Sequence, residues 1–313
     1  MGTADRVLTV YDRAKQSVAG AFIAAAQDLG AAVNRYEMNE NDRPLTDVPG
    51  RLAEILGDHT VLLTCFAARN AEIPFRVRLC LLVDGNARLR LIHCPGITLE
   101  MMRKGAMAVD YGEMKRVAQR LMARFDHAAS IRLVTPAGTD LRLDVRGRAF
   151  KTDVEITSES PGNLPCGEIY CAPVEDGAEG VAVIDGSIGN LGVLSETVRL
   201  RIRKGRVIAV SCGNPRTVKR LDALLDVDSQ ARVIGELGIG LNPGARVTGN
   251  MLEDEKAGGT VHVAFGNNEE MPGGRNRSQV HRDMLMQQVT VVMEDRHGSR
   301  RTVMRNGILI PGR

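Results

Sequence analysis

Aromatic side chains are scarce in this chain of 313 residues, and their scarcity excludes some classes of site. Phe, Tyr and Trp together make up 3% of the residues, and Trp is absent. Platforms that stack the bases of single-stranded nucleic acid depend on such side chains. The net charge of +3, from 41 basic and 38 acidic residues, is also too balanced to indicate nucleic acid as the main partner.

Paired cysteines and long apolar runs are also missing. None of the six cysteines forms a Cys-x-x-Cys pair, and the chain is too long for a small disulfide-stapled scaffold. No apolar run is long enough to cross a bilayer, and Met1–Asp12 lacks the basic and then apolar pattern of a secretory signal. We therefore expect a cytoplasmic protein with no membrane span.

Strand and helix signals alternate in the first part of the chain. Arg6–Tyr11 and Thr60–Phe66 have the composition of strands, and Tyr111–Phe125 has the apolar periodicity of a helix. Leu79–Val83 fits either a strand or a helix. Strands that alternate with helices predict a parallel sheet that is covered on both faces.

The pattern changes near Ala128. Short strand-like runs such as Asp140–Val145 and Thr197–Ile202 alternate with turn residues, and one helix is predicted at Val218–Leu225. Asn306-Gly307 is a strong signal for a hairpin turn near the end. The predicted fold class is therefore α/β followed by mixed α+β.

Two domains are predicted from this change of pattern. Residues 1–127 should form an α/β domain with a parallel sheet, and residues 128–313 a β-rich, mostly antiparallel domain. The acidic and imidazole side chains that could carry chemistry concentrate in the second of these, so we expect the metal-binding catalytic site there.

Two glycine-rich segments each present a carboxylate. Pro161–Tyr170 begins with a turn that holds two prolines and two glycines, and it then places Glu168 at the start of an apolar strand. Gly235–Pro243 surrounds Glu236 with small and apolar residues, where an isolated carboxylate is costly unless it is paired or binds a metal. Taken alone, Glu168 also fits a surface carboxylate beside a turn.

Two further segments present imidazoles. His262 lies in an alternating strand, Thr260–Phe265, whose small residues on the same face leave room for a ligand. His281 and Asp283, as His-x-Asp on a strand, would share one face at a distance of about 7 Å. A satisfied core histidine and a surface salt bridge are the simpler interpretations. Together, three carboxylates and two imidazoles favour a site for zinc, manganese, cobalt or iron.

At these residues the sequence resembles the thermophilic aminopeptidase T-like metallopeptidases. The matching segments are Asn163-Leu164-Pro165-x-Gly167-Glu168, Glu236-Leu237-Gly238-x-Gly240-x-Asn242, Asp254-Glu255-Lys256 with Thr260-x-His262-x-Ala264-x-Gly266, and Gly273-Gly274 with Ser278-x-x-His281-x-Asp283. The resemblance implies two divalent metal ions, Zn, Co or Mn. The ligands that it implies are Glu168, Glu236, His262, His281 and Asp283.

The activity that this resemblance implies is that of a metallo-aminopeptidase or related amide hydrolase. A peptide or small amide would be cleaved by a water that the ions activate, with Glu236 or Glu255 moving the proton. The resemblance also implies a homodimer, and the predicted C-terminal meander has strand edges that a partner would cover. Members usually carry a Tyr shortly after the His262 strand, where this chain has Asn267-Asn268-Glu269.

A second hypothesis comes from a distant branch of the same fold, which is similar to the 2,5-dihydroxypyridine dioxygenases. These relatives open a ring with a single Fe(II), lack a glutamate at the position of Glu168, and carry a histidine at the position of Glu236. Because this chain has glutamate at both positions, the comparison favours the two-metal hydrolase. A third hypothesis is a metal-stabilised binding protein without catalytic activity.

Overall fold

A computed structural model of the protein describes residues 1–84, 86, 88–157 and 162–311. Pro161, in the turn predicted before Glu168, and Arg313, the end of the second predicted domain, lie outside the described residues. Twenty strands and seven α-helices are assigned within the described ranges. No helix among them combines the length and the apolar composition that crossing a bilayer requires.

The strands are numbered in chain order. The first eight are β1 (Arg6–Tyr11), β2 (Ala32–Glu37), β3 (Val61–Cys65), β4 (Arg90–His93), β5 (Ala128–Val134), β6 (Asp140–Asp144), β7 (Lys151–Thr152) and β8 (Gly162–Asn163). The next six are β9 (Glu168–Cys171), β10 (Ala178–Ile184), β11 (Ser187–Ile188), β12 (Gly192–Val193), β13 (Val198–Arg203) and β14 (Arg206–Ser211). The last six are β15 (Ile234–Gly240), β16 (Val261–Gly266), β17 (His281–Met286), β18 (Thr290–Asp295), β19 (Arg300–Arg305) and β20 (Ile308–Leu309).

The helices are numbered in the same way. They are α1 (Gln16–Asp28), α2 (Gly50–Leu56), α3 (Ile73–Asp84), α4 (Leu99–Arg103), α5 (Tyr111–Phe125), α6 (Pro215–Leu225) and α7 (Met251–Asp254). Short 3-10 turns precede α1 and α3 and follow β2, at Arg13–Lys15, Asn70–Glu72 and Glu40–Asp42.

The chain divides into two compact units. The first comprises Met1–Ala108 and Asp153–Cys166, and the second comprises Val109–Thr152 and Gly167–Arg313. The boundary between these units does not lie at residue 128. Helix α5 belongs to the second unit, and the later segment Asp153–Cys166 belongs to the first. The division into an α/β domain of residues 1–127 and a β-rich domain of residues 128–313 stays a prediction.

The first unit contains a parallel sheet of five strands in the order β2-β1-β3-β4-β8. Every residue of β3 is buried, as expected for a parallel strand that is covered on both faces. Its core packs side chains of β1 and β3, such as Leu8 and Leu62, against Phe75 and Leu79 of α3. The predicted parallel α/β sheet is confirmed.

The second unit contains two antiparallel sheets. One has eight strands in the order β14-β13-β10-β6-β5-β18-β19-β20, and the other has seven in the order β12-β11-β17-β16-β15-β9-β7. Alternation is clearest in β13, where Val198, Leu200 and Ile202 are buried and the arginines between them are exposed. The predicted class, an α/β part followed by a mostly antiparallel part, is confirmed.

Local signals predicted two helices, and the structure shows that an ambiguous segment belongs to a third. Helix α5 has the predicted bounds, and Asp110 caps it by accepting a hydrogen bond of 2.9 Å from the backbone N–H of Glu113. The ambiguous segment Leu79–Val83 is helical, within α3. Helix α6 begins three residues before the prediction, because Pro215 is tolerated in a first helical turn that Asn214 caps.

Candidate metal centre

Four neighbouring strands of the seven-stranded sheet carry the predicted site residues. Glu168 begins β9, Glu236 lies in β15, and His262 lies in β16, while His281 and Asp283 are the first and third residues of β17. All five belong to the second unit. Because β17, β16, β15 and β9 are adjacent and side chains alternate between faces, the five side chains lie on the same face.

Small residues on this face leave room for the larger ones. Gly238 is paired with His262 across β15 and β16, and a Cβ on Gly238 would lie 2.1 Å from Cε1 and Nε2 of the imidazole ring. A side chain at Gly238 would therefore displace the ring. Ala264 stands between Glu236 on one neighbouring strand and Asp283 on the other, so no bulky side chain separates these carboxylates.

The first group of donor atoms surrounds His262. Its Nε2 lies 3.3 Å from Oε2 of Glu168 and 3.4 Å from Oε1 of Glu236. One donor atom from each of these three residues can be chosen so that all lie within 4.8 Å of one another. All three side chains are buried.

The second group surrounds His281. Its Nε2 lies 2.9 Å from Oε2 of Glu236 and 3.2 Å from Oδ1 of Asp283, and these donors also lie within 4.8 Å of one another. The Nδ1 of His281 lies 2.7 Å from the backbone carbonyl oxygen of Asn267. This carbonyl accepts the Nδ1–H and leaves Nε2 as the ligand atom. Metal-binding histidines are commonly oriented by such a hydrogen bond from the other ring nitrogen.

These spacings and donor types fit divalent metal ions. Donors bound tetrahedrally at about 2.0–2.2 Å from one ion lie roughly 3.3–3.6 Å apart, close to the distances around His262. Imidazole nitrogens with carboxylate oxygens suit zinc, manganese, cobalt and iron. The five side chains therefore come together as predicted, and their role as metal ligands stays a prediction.

The charges in this cluster depend strongly on one another. Burial by itself would raise the pKa of Glu236, but hydrogen bonds and charges from His262 and His281 lower it well below its usual range. Burial would lower the pKa of His262, but Glu236, Glu168 and Asp283 raise it to about 9. Burial would also lower the pKa of His281, but the charges and hydrogen bonds of Asp283 and Glu236 together raise it well above its usual value. Without a metal ion, protonated imidazoles supply the positive charge that these carboxylates need.

Glu255 stands beside these two groups and is part of neither. Its Oε1 lies 2.8 Å from Nζ of Lys256. Burial, and then the charge of Asp283, raise the pKa of Glu255, although Lys256 opposes this. The structure thus places Glu255 next to the cluster, with its catalytic role still a prediction.

Sequence reasoning missed two contributors to the cluster. Lys256 is buried, and its Nζ contacts both Glu168 and Glu255. The sequence does offer a sign of this role, because Lys256 directly follows an acidic run in one of the segments that match the family. The backbone of Asn267, which orients His281, gave no signal because every residue type has a carbonyl.

Asn268 occupies the segment in which the resembling family usually carries a tyrosine. It is buried, donates a hydrogen bond of 3.3 Å to the carbonyl of Gly235, and accepts one of 2.7 Å from the N–H of Asn276. The first bond ties the loop between β16 and β17 to the start of β15, and the second holds two parts of this loop together. The segment therefore holds the loop that leads to His281 in place.

Comparison with known proteins gives two kinds of relative. The chain is 34% identical over 166 residues to aminopeptidase T of Thermus aquaticus, a match that covers 46% of this chain and 39% of that protein. It is 24% identical over 306 residues to 2,5-dihydroxypyridine 5,6-dioxygenase of Pseudomonas putida, covering 88% of this chain and 83% of that protein. The chain thus matches well under half the length of the aminopeptidase.

Two solved structures share the fold. The dioxygenase of Pseudomonas putida KT2440 has a TM-score of 0.74 at 19% identity, covering 99% of this chain and 93% of that chain. Wild-type AmpT from Thermus thermophilus has a TM-score of 0.74 at 18% identity, covering 99% of this chain and 95% of that chain. At such identities these likenesses show the fold alone.

The family is shown by a separate match. The model of the family Peptidase M29, thermophilic metalloprotease, matches residues 108–308, which is well over half of the chain and includes both groups of donor atoms. The resemblance drawn from the motifs, including the distant relation to the dioxygenases, is confirmed. The chain belongs to the thermophilic metalloprotease (M29) family.

Proposed function

We propose that this protein is a metal-dependent aminopeptidase or a related amide hydrolase that uses two divalent ions. Family membership and the aminopeptidase T relative support the reaction class. The observation that carries the two-ion form is the carboxylate of Glu236, because Oε1 faces His262 and Oε2 faces His281. A carboxylate whose two oxygens face separate donor groups would suit a pair of divalent ions.

Each ion would have a similar set of ligands. Glu168, Glu236 and His262 would hold one, and Glu236, His281 and Asp283 the other. Zn, Co or Mn fit these donors. When bound, such a pair supplies a water of lowered pKa and polarises the carbonyl of the scissile amide.

Glu255 is the better of the two candidates for moving a proton. Both oxygens of Glu236 already face imidazoles, whereas Glu255 is anchored to Lys256 by one oxygen and its side chain is 17% exposed. Burial raises the pKa of Glu255, which moves this carboxyl towards the range of a general acid–base group at neutral pH.

Metal analysis combined with paired substrates tests this function. Purified protein loaded with Zn²⁺, Co²⁺ or Mn²⁺ should hold two ions per chain and hydrolyse an aminoacyl amide. The same amide with an acetylated amino group should react far more slowly if the enzyme is an aminopeptidase. Two bound ions with no hydrolysis of any peptide or amide would contradict the proposal.

A ring-cleaving dioxygenase with one Fe(II) is the second candidate. The match to the Pseudomonas enzyme favours it, since that match extends over 88% of this chain. Against it, neither described donor group contains two imidazoles, whereas the facial triad of non-haem Fe(II) oxygenases uses two histidines and one carboxylate. Oxygen consumption with 2,5-dihydroxypyridine and anaerobically loaded Fe(II) protein would support the dioxygenase.

We also propose a cytoplasmic homodimer that acts on peptides or small amides, with neither nucleic acid nor a membrane as partner. Support for the dimer comes from β20, which ends the eight-stranded sheet and carries the exposed Ile308. The unpaired backbone groups of an edge strand can pair with another chain. Light scattering that gives a monomer at micromolar concentration would contradict it.

A further inference from the structure

A buried lysine touches the proposed metal centre without belonging to the predicted ligands. The side chain of Lys256 is 2% exposed. Its Nζ contacts Oε1 of Glu168 and lies 2.8 Å from Oε1 of Glu255. An ammonium group is strongly hydrated, so its burial is costly unless charged partners replace the water.

The backbone holds Lys256 firmly in this position. Its N–H donates to the carbonyl of Glu253, at 3.0 Å, and its carbonyl accepts from the N–H of Asn242, at 2.9 Å. The two earlier carboxylates of the acidic run have other partners. Glu253 accepts a hydrogen bond from the backbone N–H of Arg246, and Asp254 accepts from Ser187 and from the backbone of Thr248. The ammonium therefore approaches Glu168 from a fixed direction.

Glu168 and Glu236 differ in how their oxygens are used. Glu236 presents one oxygen to each donor group. Glu168 presents only Oε2 to His262, at 3.3 Å, because Oε1 is engaged by Lys256. Glu236 thus faces the donor groups through both oxygens and Glu168 through one, because the ammonium of Lys256 occupies the other oxygen of Glu168.

We propose that Lys256 is a positioning residue that restricts Glu168 to a single ligand oxygen and holds Glu255 beside the metal centre. This inference rests on the proposed two-ion function. Lys256 occupies one oxygen of each carboxylate, so neither can rotate to bind through both oxygens. Without the ammonium, Glu168 and Glu255 would repel each other, and the group around His262 would lose its geometry while the group around His281 would keep it.

Zn²⁺ titration of the apo full-length chain, in competition with a chelator, tests this positioning role. Lys256→Met should weaken one of two Zn²⁺ binding steps by about 10–100-fold, as loss of a group that holds a metal ligand in place does, and leave the other unchanged. Lys256→Gln, which keeps a donor but loses the charge, should weaken the same step less. The matched control is Lys15→Met, which removes a lysine that donates to the carbonyl of Ile97 in the first unit and should leave both steps unchanged.

A purely structural role would give a different result. It would lower the melting temperature of the apo protein in Lys256→Met but leave both Zn²⁺ affinities of the folded fraction at the wild-type values, and that result would overturn the inference. Equal weakening of both steps would overturn it too. If circular dichroism shows that Lys256→Met does not fold, wild-type affinities in Lys256→Gln decide against the proposal.

The titration also separates this inference from the proposed function. A wild-type protein that binds two Zn²⁺ ions but hydrolyses no amide would remove the proposed hydrolase activity. The selective loss of one binding step in Lys256→Met would still establish the role of Lys256. Conversely, an active hydrolase in which Lys256→Met keeps both affinities would retain the function and refute this inference.

Discussion

Glu236 is the residue on which the proposed centre depends most, because it is the only member shared by the two described donor groups. The glycines near Glu236 were the feature of the sequence that marked it as a candidate. Strand pairing explains why one of these positions is glycine. Gly238 lies two residues after Glu236 on the same face, directly beneath the ring of His262. A carboxylate and an imidazole can share a small space here because the residue between them has no side chain.

At Gly238 we predict that substitution by alanine disrupts the centre. The added Cβ would lie 2.1 Å from the ring of His262, so the imidazole must move and the group of donors around it should lose metal affinity. The measurement is the Zn²⁺ content per chain after dialysis, with circular dichroism to confirm folding.

Gly20→Ala is the matched control for this change. Gly20 lies in α1 with open space around its Cβ position, so alanine there should stabilise the fold by about 0.5–1 kcal/mol and leave the Zn²⁺ content unchanged. A Gly238→Ala protein with wild-type Zn²⁺ content would show that the ring does not need this space.

Buried ion pairs at the carboxyl ends of the parallel strands show how elements of the first unit are held together. The guanidinium of Arg43 contacts the carboxylates of Asp12, just after β1, and Glu72, just before α3. All three side chains are fully buried. Removing one partner of such a cluster leaves charges without compensation in a medium of low dielectric constant.

We predict that Arg43→Met destabilises the protein by about 3–5 kcal/mol, as expected when a buried ion pair is broken. Urea unfolding measures this change. The control is Arg132→Met, which removes an exposed pair with Asp140 and should cost no more than about 1 kcal/mol. Equal effects of the two substitutions would contradict a special role for the buried cluster.

The same cluster predicts a dependence of stability on pH. Burial would raise the pKa of Glu72. The hydrogen bonds from Arg43 and from the backbone N–H of Leu45, together with the charge of Arg43, outweigh burial and lower this pKa below its ordinary value of 4.5. A carboxyl group whose folded-state pKa is depressed stabilises the fold above its unfolded pKa, and this contribution is lost as the pH falls through the folded value. Urea unfolding between pH 7 and pH 3 should therefore show a loss below about pH 4.5. Glu72→Gln should lose less stability in acid than the wild type does. A variant whose free energy of unfolding depends on pH as in the wild type would rule out this role of Glu72.

At the scale of the whole molecule, the second unit joins an apolar core with a buried charged centre. Its seven-stranded sheet buries every residue of β15 and β16, including Glu236 and His262. Metal ions that bind only the folded chain would shift its unfolding equilibrium by mass action. Stability of the whole protein should then depend on the concentration of free metal.

We predict that chelation lowers the melting temperature and that Zn²⁺ restores it, with about 2.7 kcal/mol of stabilisation at a free concentration 100 times the Kd. Glu236→Gln should abolish most of this response, because Glu236 serves both groups. Glu179→Gln, at an exposed glutamate that accepts from the backbone of Lys204, should keep it. Calorimetry that shows no dependence on Zn²⁺ in the wild type would contradict the two-ion centre.

Patterns between neighbours in the sequence determined much of this protein. The bounds of α5 follow from an apolar stripe and a capping aspartate, and the change from helix–strand alternation to short strands follows from local turn residues. The six candidate site residues could be named because they stand in glycine-bracketed segments and in motifs of a known family. These features depend on residues a few positions apart, which a sequence displays directly.

Only the tertiary structure decided how these residues work together. The order β17-β16-β15-β9 places segments that are distant in the chain next to one another, and it decides that Glu236 faces two imidazoles while Glu168 faces one. It also buries Lys256, which in the sequence stands at the end of a charged run. Strand order, register and burial depend on how the whole chain packs, because apolar faces must be covered and buried charges must find partners, and these requirements are not visible in any single segment.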